Sequence, residues 1–477
     1  MNDMARPHML PWCSMVLLSF LERFVRTFTP EPFRRLAREA GWLQRQGKID
    51  AFEFFTSLIF GQLSAQRQTL TSQSQSLAEP VSRQGIDQRF TASAVEYFKA
   101  SFAHIMAETL DGSPTHPQAE LLRTRFQGVY LLDSTCFAVT ETLQDVFPAC
   151  GGLGSAANVK VLLRYELIAG RLEPLLVLAG KRSDQGQALA AAERLREGEL
   201  QLQDKGFFDA KAWRAAQDRG AYLLTPLPHS VTLWRPGQTP AKEDLLDLAA
   251  ALGVTTENRL EWPSLKVGKV GHRAGALRLV AFRLTPESAA RHRQGLRDAM
   301  RKQGRMPSAK ALQLAGWLLL LTNAPADKLP SVMMSYLYRM RWQVELIFRQ
   351  LKSVLRLDKT ESENPFRVQS QIWARLTCAV LLFLWHAHAS AACWLRHHTE
   401  ASFEKVVRIL QQWGHTIARA FLGPPAHLLE ELQKVWQQML QNGRKGRQKS
   451  RRGSWENLFD LWLSPGATTA LSVASPG

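Results

Sequence analysis

Residues 338–352, YRMRWQVELIFRQLK, carry Tyr338, Arg341, Glu345 and Lys352 at offsets 0, 3, 7 and 14. At about 100° per residue the four fall at about 0°, 300°, 340° and 320°, one narrow face of a helix. Leu337, Met340, Val344, Ile347 and Leu351 cluster beside them, between roughly 180° and 260°, as the stripe that packs inward. A carboxylate suits a metal ion, and two cations with a phenol suit phosphate oxygens, so the face reads as nucleic-acid phosphoryl chemistry. Taken alone, the same spacing also describes a solvated face with an i, i+4 Arg–Glu pair.

Two further carboxylates bear on that choice. Asp133 interrupts the apolar run GVYLLDSTCFAV, where an acid is costly unless it is paired or binds a metal. Asp204 ends a second apolar stretch, LQLQDKGFF, just before Gly206, where a tight turn leaves its side chain at a sheet edge. Asp184 and Asp209 are rivals for that second position. Three carboxylates from two strands and a helix suffice to hold two Mg²⁺ (or Mn²⁺) ions, one activating the attacking oxygen and one stabilising the leaving oxygen.

The elements that must position these groups follow from periodicity. Residues 1–122 read as helices over 32–46, 50–64 and 92–110. Within them SRQGIDQRF followed by TASAVEYFKASF reads as a helical hairpin with Ser82 and Thr91 as N-caps. As a helix-turn-helix it would offer Arg83, Gln84, Gln88 and Arg89 to DNA. From residue 126 the period shortens: the Asp133 strand, two strands turning near Gly170, a helix over QGQALAAAERLREGEL, then the Asp204 strand and another helix. That order suits a mixed α/β sheet. Residues 226–315 hold 15 Lys/Arg against 7 Asp/Glu and short strand candidates, the mark of a basic, β-rich insertion. GWLLLLTN returns to a buried strand ahead of the opening helix. Beyond residue 360 the chain is helical and runs into the basic tail NGRKGRQKSRRG.

Composition narrows the partners. The 477 residues carry a formal charge of +18, with 45% hydrophobic residues and 14 Trp. Such a surplus favours a polyanion, nucleic acid before a membrane surface. Five scattered Cys with no CxxC pair fit a reducing compartment and exclude a zinc ribbon. The apolar run over 376–394 contains His386 and His388 and reads as a buried helix rather than a membrane span. Those two His point about 200° apart on a helix, as core residues rather than metal ligands. GGLGS lacks the Lys-Ser/Thr of a P-loop, and no Gly-x-Ser-x-Gly elbow occurs, which excludes the commonest nucleotide and ester hydrolase signatures.

With these residues in place, the chain resembles the bacterial insertion-sequence DDE transposases known by a Tyr-x2-Arg-x3-Glu-x6-Lys signature. Tyr338, Arg341, Glu345 and Lys352 match it without a gap. Asp133 in LLDST and Asp204 in QDKGFF correspond to the two aspartates, and the resemblance covers roughly residues 30–375. It implies an α/β, ribonuclease-H-like mixed-sheet core (123–225 and 316–372) interrupted by the β-rich insertion (226–315). A helical DNA-binding domain (1–122) and a C-terminal helical region (373–477) flank it. It further implies that Asp133, Asp204 and Glu345 are catalytic and hold the metals. Tyr338, Arg341 and Lys352 would grip phosphates, and Trp317 would stack on a base flipped from the element's end. The expected partners are double-stranded DNA, as element ends and target, and a second copy in a synaptic homodimer, in the cytoplasm at the nucleoid. A stand-alone nuclease and a DNA-binding protein without catalysis are the alternatives.

Overall fold

Asp133 lies in the middle strand of one arm of a nine-stranded sheet. The computed structural model describes residues 10–446 apart from 46, 64–67, 80, 111–113, 116–118, 151–153, 229, 237–244, 269–273, 360, 361 and 422. Arg447, Lys449, Arg451 and Arg452 of the basic tail fall outside the described residues, as does part of GGLGS.

Seven helices come first: α1 Leu10–Thr27, α2 Pro30–Glu39, α3 Ala51–Gly61, α4 Leu70–Gln75, α5 Arg83–Asp87, α6 Ala92–Leu110 and α7 Glu120–Arg123. Asp50 caps α3 by accepting from the Phe52 and Glu53 amides, and Ser82 caps α5 by accepting from Gly85. The sheet then begins with β1 Gly128–Ala138, β2 Asn158–Glu166 and β3 Arg171–Ala179, the last two joined through Gly170, which takes a positive φ of 67°. Helix α8 Gln185–Ala192, β4 Glu199–Gln203, α9 Ala210–Asp218 and β5 Tyr222–Pro226 follow. The basic stretch carries β6 Leu233–Trp234, α10 Leu248–Gly253, β7 Arg259–Val267, β8 Ala274–Arg283, α11 Pro286–Arg301 and α12 Ala309–Leu314. Among the described residues, three strands and three helices make it mixed rather than mainly β. Finally come β9 Trp317–Thr322, α13 Ser331–Met340, α14 Trp342–Val354, α15 Pro365–His397, α16 Phe403–Ala420 and α17 Pro425–Asn442.

The strand order is β3-β2-β1-β4-β5-β9-β8-β7-β6. Strands β1, β4 and β5 are mutually parallel, and the remaining neighbours pair antiparallel. Strands β6 to β8 therefore continue the sheet beyond β9 instead of building a separate one. Side-chain alternation sorts the two faces. Leu131, Leu200 and Leu202 share a core with Leu337, Val344, Ile347 and the centre of α15. Leu132 and Leu162 point the other way, onto Ala188 and Ala191 of α8 and Ala212 of α9. The result is a mixed α/β architecture with helices on both faces.

Helix α15 is long and apolar enough to cross a membrane, yet 83% of its apolar window is buried inside the protein. His388 stacks on Phe20 with ring centroids 3.9 Å apart, and His386 meets the Ala401 carbonyl at 3.2 Å and Ser390 at 3.3 Å. Both belong to the helical core.

Candidate functional site

Strand register brings two carboxylates together. Leu132 of β1 lies opposite Gln203 of β4 in the parallel ladder, so the next pair along is Asp133 and Asp204. By alternation Asp133 follows Leu131 and Asp204 follows Leu202 onto the face that α13 to α15 cover. Open α/β sheets present ligand sites at such carboxyl ends of parallel strands.

The signature stretch differs from one straight helix. α13 ends at Met340 and α14 starts at Trp342, with Arg341 at the joint. The Arg341 amide donates to the Tyr338 carbonyl and the Val344 amide to the Arg341 carbonyl, both at 3.0 Å. These i→i+3 bonds tighten the chain there, and a uniform 100° step no longer relates Tyr338 to Glu345 and Lys352. Tyr338 is buried, whereas the Glu345 side chain is 46% exposed.

The tightened joint aims Arg341 at the acids. Its Nη1 donates to Asp133 Oδ2 at 2.9 Å and its Nη2 to Glu345 Oε1 at 3.2 Å, while the guanidinium lies 5.8 Å from the Tyr338 ring centroid. The Ser134 amide holds the other oxygen, Asp133 Oδ1, at 2.8 Å. Burial pushes the Asp133 carboxyl up to about 6, and Asp204 and Glu345 push the same way, against the Ser134 amide and Arg341. Burial likewise raises Tyr338 well above the usual phenol range, against Arg341. Arg341 itself is pulled down by burial but held above its ordinary value by Tyr338, Asp133 and Asp204. Each of these groups thus feels the others' charge. Lys352 Nζ lies 3.4 Å from the Cys136 carbonyl, further along β1.

The other anticipated residues are placed as follows. Trp317 is buried at the start of β9, and the Arg283 guanidinium sits over its ring, 4.4 Å from the centroid. Arg83 is exposed on the one-turn helix α5. Arg89 lies 5.8 Å over the Trp42 ring and its carbonyl accepts from Trp42 Nε1 at 2.9 Å, so it packs within the helical layer. The α5–α6 turn docks onto the start of α15 through Asp87–Arg367 at 3.4 Å and Asn364 Nδ2 to the Phe90 carbonyl at 3.2 Å.

Of the two rivals to Asp204, Asp209 caps α9 by accepting from the Lys211 amide at 2.9 Å. Asp184 joins the site from the opposite face of the sheet: its Oδ1 accepts from Ser134 Oγ at 2.7 Å and from Lys160 Nζ at 2.9 Å. Lys160 was missed in the sequence, although an ammonium inside an apolar strand is as costly as the carboxylate that singled out Asp133.

Three carboxylates are the hard oxygen donors that Mg²⁺ or Mn²⁺ takes, so the donor set fits a divalent ion in kind. Among the described residues, no three acidic, His or Cys side chains lie close enough to share one ion. The Arg341 guanidinium stands between Asp133 and Glu345.

Comparison with known proteins shows what the chain is similar to. Residues 124–381 match the family described as transposase DDE domain. The chain is 25% identical over 458 residues to the transposase for insertion sequence element IS231C of Bacillus thuringiensis subsp. berliner, covering 93% of this chain and 94% of that one. It is 23% identical over 459 residues to the transposase for element IS231F of Bacillus thuringiensis subsp. israelensis, covering 93% and 95%. It is 22% identical over 389 residues to the transposase for element IS1151 of Clostridium perfringens, covering 76% and 80%.

Proposed function

The chain belongs to the transposase DDE domain family and is a transposase enzyme of the insertion-sequence kind, and from that premise we propose a cut-and-paste enzyme whose catalytic carboxylates are Asp133, Asp204 and Glu345. The family implies a ribonuclease-H-like core and dependence on a divalent metal. We assign that core to residues 123–225 and 316–372, the insertion to 226–315, and the helical flanks to 1–122 and 373–477. Tyr338, Arg341, Glu345 and Lys352 are its Tyr-Arg-Glu-Lys signature.

The observation that carries the reading is the single arginine shared by Asp133 and Glu345, beside the strand that delivers Asp204. Two Mg²⁺ (or Mn²⁺) ions held by the three carboxylates would supply Lewis acidity to the attacking and leaving oxygens. Asp133 must be deprotonated for this, and its raised carboxyl is ionised above about pH 6. Arg341, Tyr338 and Lys352 grip phosphates of the element end, and Arg83 contributes DNA contacts from α5. Trp317 can stack on a displaced base once Arg283 leaves its face, whereas Arg89 serves the helical layer first.

In the reaction, water attacks the phosphorus at the element's end and the P–O3′ bond breaks, freeing a 3′-OH. That hydroxyl then attacks a target phosphodiester in line, forming one P–O bond as another breaks, with no covalent enzyme intermediate. Two copies synapse the two terminal inverted repeats, in the cytoplasm at the nucleoid. The test is cleavage and joining of DNA carrying the element's ends. Wild type should cleave and join, while Asp133→Asn and Glu345→Gln should bind ends without cleaving. Cleavage without joining would make the protein a nuclease, and a cleaving Glu345→Gln would refute the site.

A further inference from the structure

We propose that Asp184 is a positioning residue that orients Asp133 through Ser134, and thereby sets the site's affinity for divalent metal. The proposal rests on the catalytic assignment above. Its foundation is the set of contacts made by one carboxylate that is not itself among the proposed catalytic acids.

Asp184 precedes α8, on the face of the sheet opposite α14. Its Oδ1 accepts from Ser134 Oγ at 2.7 Å and from Lys160 Nζ at 2.9 Å. Ser134 spans the strand: its hydroxyl goes back to Asp184, while its amide donates to Asp133 Oδ1 at 2.8 Å. A continuous chain therefore runs Lys160–Asp184–Ser134–Asp133. With Oδ1 of Asp133 held from behind, Oδ2 is the oxygen turned to Arg341 at 2.9 Å.

The other oxygen of Asp184 faces the turn that follows the second aspartate. A Cβ added at Gly206 would sit 3.8 Å from Asp184 Oδ2 and 3.9 Å from Asp204 Oδ2. The two carboxylates thus flank one glycine, on the turn where the Phe207 amide donates to the Asp204 carbonyl at 3.0 Å. One side chain thus holds the residue next to Asp133 and lies beside the turn that carries Asp204. Lys160, whose side chain is only 9% exposed, supplies the counter-charge to Asp184.

Groups that orient metal ligands without touching the metal typically cost 10–100-fold in metal affinity when removed. The test uses the full-length protein, with Mn²⁺ binding to the DNA-free protein read by EPR and the Mg²⁺ dependence of end cleavage read alongside. End-binding affinity and the thermal midpoint serve as controls. Asp184→Ala should weaken Mn²⁺ binding by about 10–100-fold and raise the Mg²⁺ requirement in parallel, with end binding unchanged. Ser134→Ala leaves the Lys160–Asp184 pair in place, so it keeps folding intact and should weaken Mn²⁺ binding by about tenfold, the low end of that range. Asp184→Asn keeps an acceptor for Ser134 and should fall between wild type and Asp184→Ala. A lowered thermal midpoint with wild-type Mn²⁺ affinity would reduce Asp184 to a structural role and overturn the proposal, as would wild-type affinity in a folded Ser134→Ala. If Asp184→Ala does not fold, Ser134→Ala and Asp184→Asn decide. Asp133→Asn run in parallel separates the two levels: if it binds Mn²⁺ and cleaves as wild type does, the catalytic assignment fails first.

Discussion

Replacing Arg341 with Ala should tighten, not weaken, the binding of divalent metal to the DNA-free protein. The guanidinium joins Asp133 at 2.9 Å and Glu345 at 3.2 Å, so a metal entering between those acids must first break both contacts. The Glu345 side chain is 46% exposed, and that leg adds little, about 0.5 kcal/mol or less. The Asp133 leg joins side chains 16% and 18% exposed, where a charge-assisted hydrogen bond contributes about 1.5–3 kcal/mol. A total near 2 kcal/mol corresponds to roughly thirtyfold tighter binding once the arginine is gone. The assay is an Mn²⁺ titration read by EPR at pH 8, with DNA absent. That pH lies well above the carboxyl of Asp133 at about 6, which loss of the cation will raise further. Arg341→Lys, which retains one charge but not the two-pronged geometry, should fall between. Unchanged or weaker Mn²⁺ binding in a folded Arg341→Ala would refute the reasoning, because the guanidinium would then not be competing for the cation's place.

Four further outcomes follow from the same geometry. Asp133→Asn and Glu345→Gln should lose end cleavage by roughly a thousandfold or more, the equivalent of several kcal/mol of transition-state stabilisation, while gel-shift binding to ends persists. In the absence of DNA, Mn²⁺ affinity should fall as pH drops through about 6, since the raised carboxyl of Asp133 takes up a proton there; a flat profile from pH 5 to 8 would count against Asp133 as a ligand. Lys352→Ala should weaken end binding across sequences alike and reduce the slope of log affinity against log salt by about 1, measured by fluorescence anisotropy. Burial drives the His388 imidazole down to about 3, with Arg23 pushing the same way. A buried neutral base is fully stabilising above its unfolded value of about 6.5 and loses that contribution as pH falls from there toward 3. The thermal midpoint should therefore drop between pH 6.5 and 4.5, and His388→Leu should flatten that limb.

The elements that carry the site were legible because each has a strong local pattern. The apolar run around Asp133, the Gly170 turn between β2 and β3, and the strand ending before Asp204 all appear where alternation and turn residues place them. The break at Arg341 was not legible. Nothing in the side-chain pattern of residues 338–352 marks two successive i→i+3 bonds, and a periodic count assumes an unbroken helix. The burial of Trp317 beneath Arg283 was equally hidden, since it depends on β8 pairing with β9, a contact between segments far apart in sequence. The same holds for Asp184: one acid before a helix has no signature until β1 and β2 pair and bring Ser134 and Lys160 to it.

The placement of Arg341 also resolves a physical difficulty in assembling such a site. Asp133 is largely withdrawn from water and pushed toward its neutral form by burial first, then by Asp204 and Glu345. A cluster of like charges needs a cation to persist, or one carboxyl protonates. In the DNA-free protein that cation is a side chain, and its other natural partner is a phosphate, to which a guanidinium binds in the same two-pronged fashion. On the proposed reading, a DNA end arriving at α14 would compete with Asp133 and Glu345 for Arg341, and drawing the arginine toward the phosphate would leave the carboxylates short of positive charge at the moment substrate is bound. Linkage then requires DNA and metal to bind with positive cooperativity through this one residue, each raising the other's affinity by the same factor. That factor should collapse toward one in Arg341→Ala. Measuring Mn²⁺ affinity with and without a DNA end, in wild type and in the variant, closes the cycle, and equal factors in the two proteins would show that the coupling runs elsewhere.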